Sequence, residues 1–237
     1  MIFINRKAGI EMRKVAYYEH HTGKLSKPLL LAVVSDLHNE EYEDIFPLID
    51  GADALLVPGD ISDRYHQQYE RGVAFLTDAA KRLPTFFSLG NHEVKQEKYS
   101  KLKTALYQTG AEILINRHVR FEEAWIGGWY DPDVVREPER QSALEREKGV
   151  KILMCHKPEQ YWKRMRARDF DLVVAGHAHG GQIRILGQGL YAPGQGILPR
   201  LTRGAADDKL IVSAGAGNPA RAPRWGNPCE VLLIQMD

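Results

Sequence analysis

Short apolar runs alternate with amphipathic segments along the 237-residue chain, the pattern of a layered α/β protein. The runs predict strands near 14–19, 29–35, 54–58, 84–89, 112–115, 118–121, 124–128, 150–155, 171–175, 181–186, 210–214 and 230–235. Tyr69, Val73, Leu76, Ala80 and Leu83 recur at three- and four-residue spacing, which predicts a helix over 66–83; further helices are expected near 41–50, 97–108, 138–148 and 158–167. Twelve strands exceed what one open sheet with five helices usually needs. Two stacked sheets with helices outside are therefore expected, in a single domain over 1–237, with residues 1–11 as a loose extension or an upstream start.

Composition narrows the class. A hydrophobic content of 43% supplies a substantial core, and 32 Lys+Arg against 31 Asp+Glu leave a formal charge of +1. That balance gives no overall field toward nucleic acid or an anionic membrane, so any anion must be held locally. Cys155 and Cys229 are too few for a disulfide framework, which points to a reducing compartment and a cytoplasmic location. The longest apolar run, LLLAVV at 29–34, is too short to span a bilayer, and the N-terminus MIFINRKAGIEMRK reads as neither signal peptide nor anchor. No feature fixes an oligomeric state.

The polar residues that follow the apolar runs form a set. LLLAVVSDLH ends in Asp36 and His38, ALLVPGDISD in Asp60 and Asp63, and TFFSLGNHE in Asn91, His92 and Glu93. VKILMCH ends in His156, and DLVVAGHAH in His177 and His179. Five of the nine histidines thus stand just past an apolar run, at the carboxyl ends of strands where α/β sheets bind ligands.

Carboxylate, imidazole and amide oxygen make a mixed N/O donor set suited to Mn, Fe or Zn, while the lack of thiolate argues against a structural zinc site. Asp36, His38, Asp60, Asn91, His156, His177 and His179 are one donor too many for a single ion. Two metals about 3.5 to 4 Å apart, sharing one carboxylate, use them naturally. Gly59, Gly90 and Gly176 each precede a candidate ligand, where the lack of a Cβ allows a sharp turn and a close approach.

The ordered set Asp36-x-His38, Gly59-Asp60, Gly90-Asn91-His92, His156 and Gly176-His177-Ala178-His179 resembles the calcineurin-like metallophosphoesterase superfamily over roughly residues 30–235. GHAHGGQIR, PGQGILPRLTRG and SAGAGNPARAPRWGNPCEVLLI look most like its bacterial phosphodiesterase branch, which often carries an N-terminal membrane anchor not evident here. The resemblance implies a β-sandwich of two mixed sheets flanked by helices. It implies one metal on Asp36, His38, Asp60 and His179, and another on Asp60, Asn91, His156 and His177, with Asp60 and a water or hydroxide as bridges. Glu93 stands where the family often has Asp, and is expected behind the ligands.

The implied reaction is metal-dependent phosphoester hydrolysis, most naturally of a diester, by in-line attack of the bridging hydroxide. His92, beside ligand Asn91 but not itself a ligand in the family, is the candidate general acid. GDISDR resembles a stretch of the phosphoprotein phosphatases in which an Asp pairs with this histidine, so Asp63 is expected to fix His92. Residues 187–209, rich in glycine, are expected to wall or cover the site. Arg200, Arg203, Arg221 and Arg224 are candidate phosphate-binding residues, because arginine offers bidentate geometry to phosphoryl oxygens. Trp125, Trp129 and Tyr130 suit a pocket wall or the core. Two other readings stand beside the phosphodiesterase: a phosphomonoesterase or protein phosphatase, and a metal-binding scaffold without catalysis, for which a retained His92 has no use.

Overall fold

The computed structural model describes residues 13–129, 143–218 and 223–237. The expected helix over 138–148 and the candidates Tyr130 and Arg221 therefore lie wholly or partly outside the described residues. In chain order the strands of the first half are β1 (Lys14–His20), β2 (Leu29–Val33), β3 (Ala54–Val57), β4 (Thr85–Phe87), β5 (Glu112–Ile113), β6 (Arg117–Phe121) and β7 (Ala124–Trp129). The second half supplies β8 (Val150–Cys155), β9 (Leu172–Ala175), β10 (Arg184–Ile185), β11 (Gln188–Gly189), β12 (Tyr191–Ala192), β13 (Gly196–Ile197), β14 (Gly204–Ala205), β15 (Leu210–Val212) and β16 (Glu230–Met236). Four α-helices are described: α1 (Glu70–Ala80), α2 (Asn91–Val94), α3 (Tyr99–Tyr107) and α4 (Pro158–Arg164).

Two six-stranded sheets carry the architecture, one in the order β1-β16-β2-β3-β4-β5 and the other β14-β15-β9-β8-β7-β6. Both are mixed: β16 runs antiparallel to β2, and β14 and β6 run antiparallel to their neighbours, while the central strands are parallel. Strand alternation divides the apolar side chains into layers. Leu31, Val33, Ala54 and Leu56 face Ile152, Met154, Leu172 and Val174 between the sheets. Ala32, Leu55, Val57 and Phe87, on the opposite face, pack with Phe75 and Leu76 of α1 and Leu102 and Leu106 of α3. Leu153, Val173 and Ala175 pack on the other side with Tyr161 of α4. The result is the expected four-layer sandwich, with helices outside two mixed sheets.

Several elements differ from the sequence pattern for local reasons. The helix expected from 66 begins at Glu70, because Asp63 and Gln68 first exchange backbone hydrogen bonds at 2.8 and 3.0 Å and close a bridge. The segment 41–50 keeps only a 3-10 turn over Phe46–Leu48, since Pro47 has no N–H to continue an α-helical ladder. The strand expected over 181–186 shrinks to β10, because Gly180 and Gly181 adopt positive φ in a 3-10 turn. Residues 187–209 hold two-residue strands, β11 to β13 in small hairpin pairs and β14 at the edge of the second sheet, all too short to show alternation in sequence. No helix among the described residues is long and apolar enough to cross a membrane.

Candidate metal centre

The donors gather at the carboxyl ends of five strands. Asp36 and His38 lie on the loop after β2, Asp60 after β3, Asn91 and His92 open α2 after β4, His156 follows β8, and His177 and His179 follow β9. Because β2, β3 and β4 are adjacent in one sheet and β8 and β9 in the other, residues up to 143 positions apart in sequence converge where the two sheets meet. All seven candidate ligands are buried, as is His92.

The backbone is bent to present them. Asp36, His38, Asp60, His177 and His179 all take positive φ, between 46° and 68°. Such a conformation is uncommon for residues with a Cβ, although Asp and His tolerate it better than most, and it concentrates where a site is over-determined by its surroundings. Two glycines clear the space: a Cβ on Gly176 would stand 2.2 Å from Asp36 Oδ2, and one on Gly90 2.2 Å from Asp60 Oδ1.

Three groups of donor atoms lie within 4.8 Å of one another: Asp36, His38 and His179; His38, Asp60 and His92; and Asp60, His156 and His177. His38 Nε2 and His179 Nε2 are 3.2 Å apart, and Asp36 Oδ1 lies 3.8 and 3.6 Å from them. His156 Nε2 is 3.0 Å from Asp60 Oδ2, while its Nδ1 donates to Pro58 O at 2.8 Å. The second bond fixes the ring and leaves Nε2 facing the carboxylate, the arrangement of a metal-binding histidine with its outer nitrogen anchored. Asn91 Oδ1 is buried with no hydrogen-bond partner, as expected of an oxygen reserved for a cation. Donor types, an orphaned amide oxygen and cleared glycine positions all fit two ions, and together they form a dinuclear metal-binding site.

Electrostatics agree with a cationic occupant. Burial alone would raise the Asp36 and Asp60 carboxyls, yet the surrounding imidazoles hold both well below the usual carboxylate range. Burial disfavours charge on His156 as well, but Asp60 and Asp36 outweigh it and push the imidazole up to about 10. His177 is pushed down to about 3 by burial and then by the His156 charge, and His179 falls well below its ordinary value by burial. In the metal-free centre the Asp60 and Asp36 charges thus keep His156 protonated, and a cation bound to its Nε2 has to displace that proton.

Glu93 lies behind the ligands, as expected from its position. It is fully buried; one oxygen accepts the N–H groups of Asp60 and Gly90 at 2.8 Å each, and the other accepts the N–H and hydroxyl of Ser62 at 2.9 and 2.8 Å. Glu159 stands behind His177, Oε1 to Nε2 at 4.0 Å. Asn227, buried, donates to the carbonyl of His179 at 2.7 Å. Glu159 and Asn227 stand in no motif of ligand-type residues and reach the site only through folding of distant segments.

His92 lies beside the donors, its N–H bonded to Asp60 Oδ1 at 2.7 Å. Its Nδ1 accepts from the Arg64 N–H and faces His38 Nδ1, both at 3.2 Å, which assigns its proton to Nε2. Burial pushes its imidazole down to about 4. The expected Asp63–His92 pair is replaced by another: Asp63 Oδ2 bonds His66 Nδ1 at 2.5 Å, and Oδ1 accepts the Tyr65 N–H at 2.8 Å. The bridge between Asp63 and Gln68 turns this loop so that the histidine three residues on, rather than His92, meets the carboxylate.

A pocket of about 290 Å³ opens over the centre, with Tyr65, Gln182, Tyr191 and Pro193 forming its walls beyond the ligands and His92. Tyr191 and Pro193 belong to the stretch expected to wall the site. Among the described residues Arg64 is the arginine that lines this pocket, in place of the arginines expected there. Arg203 is instead taken by an ion pair with buried Glu230, and Arg200 lines a separate depression with Trp162 and Pro199. Arg224 reaches the back of the centre, its Nη2 3.0 Å from His179 Nδ1 and 2.7 Å from Gly217 O. Trp129 is buried in the core under α4, with Trp125 packed against the same cluster.

Fold and donor set define a metallophosphoesterase. A profile of calcineurin-like phosphoesterases matches residues 29–181, and the chain belongs to that family. It is 26% identical to an uncharacterised metallophosphoesterase of Campylobacter jejuni, over 100% of this chain and 66% of the relative. It is 30% identical to the Bacillus subtilis metallophosphoesterase YkoQ, over 89% of this chain and 84% of that protein. Phosphodiesterase YaeI of Escherichia coli is 24% identical over 67% of this chain and 63% of its own length. The chain spans somewhat under two thirds of the Campylobacter jejuni and Helicobacter pylori relatives.

Proposed function

We propose that the chain is a two-metal phosphodiesterase in which His92 acts as general acid. The observation that carries this reading is His92 itself: it lines the pocket beside the donors and keeps Nε2 for a proton. One ion is assigned to Asp36, His38, Asp60 and His179, the other to Asp60, Asn91, His156 and His177, with Mn, Fe or Zn suited to the N/O donors. When bound, the ions supply a water nucleophile at neutral pH and offset negative charge on the phosphoryl oxygens.

The chain's own residues do the rest. His92 is neutral in the free protein, with its one proton on Nε2; an anionic ester arriving beside it favours the imidazolium, whose second proton sits on Nδ1 in place of the bond accepted from the Arg64 N–H and stays there when the Nε2 proton is given up. The proton passes from Nε2 to the departing alkoxide. The bonds from Glu93 to the Asp60 loop and to Gly90 hold the shared carboxylate and Asn91 in one frame, so that the site need not reorganise during reaction. Tyr65 packs edge-on against His92 with ring centroids 5.3 Å apart and shields that side of the pocket.

Preference for diesters is supported by the resemblance of GHAHGGQIR and SAGAG to the bacterial phosphodiesterase branch and by the similarity to a protein named a phosphodiesterase. The Asp63–His92 pair, expected from the likeness of GDISDR to the phosphoprotein phosphatases, is not formed, so that likeness lends no support to a protein-phosphatase reading. A cytoplasmic, single-domain enzyme acting on a phosphate ester is the corresponding picture of the whole chain. Hydrolysis of bis(p-nitrophenyl) phosphate beside p-nitrophenyl phosphate, on chelator-stripped protein with and without Mn²⁺, tests the proposal. Metal-restored turnover favouring the diester supports it, and preference for the monoester assigns the chain to the phosphomonoesterases.

A further inference from the structure

A second depression of about 300 Å³ adjoins the pocket over the metals and shares Arg64, Asn91, His177 and Pro193 with it. Its remaining lining is strongly cationic: Lys95 just after α2, Lys157 just before α4 and Lys163 within it join Arg64. Among the described residues no carboxylate lies within ion-pair distance of Arg64, Lys95 or Lys163, whereas Arg166 and Arg168, just past α4, are paired with Asp207 and Glu145. Lys95 and Lys163 are exposed and Arg64 half-buried. Among the described residues the one acid in the depression, Glu159, is buried beside His177; the Lys157 and Lys163 charges act on its carboxyl, so it offsets only part of the charge of the four cations.

This concentration stands out in a chain whose formal charge is only +1. Arg64, Lys95 and Lys163, which pair with no carboxylate among the described residues, together with Lys157, meet at the edge of the phosphoester pocket and hold the surface potential positive where a substrate must enter. A single diester phosphate carries one negative charge and already meets the metals. The additional cations therefore have no counter-charge in the simplest substrate.

Building on the phosphodiesterase reading above, we propose that the physiological ester carries a second phosphoryl group, and that Arg64, Lys95, Lys157 and Lys163 hold it in this adjoining depression while the scissile phosphorus lies over the metals. Charge-assisted bonds from lysine and arginine to a phosphomonoester are strong enough to select such a substrate. They act through binding rather than through the chemical step, because the second group stays clear of His92 and the reacting atoms.

The test compares thymidine 5′-(p-nitrophenyl phosphate) with the same compound bearing a 3′-phosphate, following p-nitrophenolate release from the metal-loaded protein. The 3′-phosphate is expected to raise kcat/KM by about tenfold or more at low salt, mainly through KM, and added salt is expected to erode the gain. The Lys95→Ala/Lys163→Ala double variant is expected to lose most of that ratio, whereas Lys103→Ala, on the exposed side of α3, keeps it. Equal kcat/KM for the two compounds, or a preference unmoved in the double variant, overturns the proposal.

If neither compound turns over although metals bind, the phosphodiesterase reading falls, and calorimetry decides the subsite alone. Tighter binding of thymidine 3′,5′-bisphosphate than of thymidine 5′-phosphate, lost in the double variant, supports the subsite. Equal binding of the two nucleotides overturns it.

Discussion

The carboxylate of Glu93 accepts the backbone N–H of Asp60 at 2.8 Å, so a residue that touches no substrate fixes the carboxylate assigned to both metals. The same oxygen accepts from Gly90, whose neighbour Asn91 supplies another ligand, and the other oxygen binds Ser62. Two metal-bearing loops are thereby tied to one buried group. Replacing Glu93 with Gln turns an acceptor into an NH₂ that faces donors, leaving buried N–H groups unpaired at a cost of about 2 kcal/mol. Denaturant unfolding of E93Q is expected to show that loss, and metal titration an affinity lowered roughly 10- to 100-fold. Wild-type stability and affinity would remove Glu93 from this role.

His92→Ala is expected to retain its metals, since the seven assigned ligands remain. Its rate should fall roughly 10²- to 10⁴-fold on diesters with alkyl leaving groups, and much less with p-nitrophenolate, which departs without a proton. Steady-state kinetics on both kinds of ester check this. Equal losses on the two would show that His92 does not deliver the proton.

Metal uptake should depend on pH through His156. Burial opposes its charge, but Asp60 and Asp36 hold its proton with a pKa near 10 in the metal-free protein, and coordination requires that proton to leave. Because the proton is bound below that value and displaced by the cation, apparent affinity should rise with pH across the neutral range, by about tenfold per unit for each proton released. Calorimetric titrations in two buffers of different ionisation enthalpy count the protons. Zero release at pH 7 would contradict the assignment.

Gly176→Ala tests the close approach of the β9 loop to Asp36. The added methyl would stand 2.2 Å from Asp36 Oδ2 and 2.6 Å from Ser35 Oγ, deep in a buried loop where neither neighbour can withdraw freely. A destabilisation of about 1 to 3 kcal/mol and displacement of Asp36 follow. Thermal melts and metal analysis are the readouts; a variant with full metal content and an unchanged melting temperature would show that the loops have room to spare.

Much of this site was legible before folding was considered. Asp36, Asp60, Asn91, His156 and His177 each follow a largely apolar run, and a strand followed by a polar turn is a local pattern. The sandwich was legible for the same reason, because Leu31, Ala32 and Val33 belong to a strand buried on both faces. Tertiary relations were not. Asp63 and His92 are 29 positions apart, and the bridge that turns Asp63 toward His66 depends on Gln68, whose role no spacing rule reveals. Arg64 stands outside the glycine-rich segments, whereas Arg203, within one, is consumed by Glu230 from the far end of the chain. The two-residue strands between 184 and 205 carry too few side chains for any alternation to register.

The most direct measurement is a stepwise Mn²⁺ titration of chelator-stripped protein, with bound metal and hydrolysis of bis(p-nitrophenyl) phosphate followed together. The account predicts that binding saturates at two ions per chain and that turnover develops as the second site fills. Saturation at one ion, or turnover that persists in the stripped protein, would contradict it.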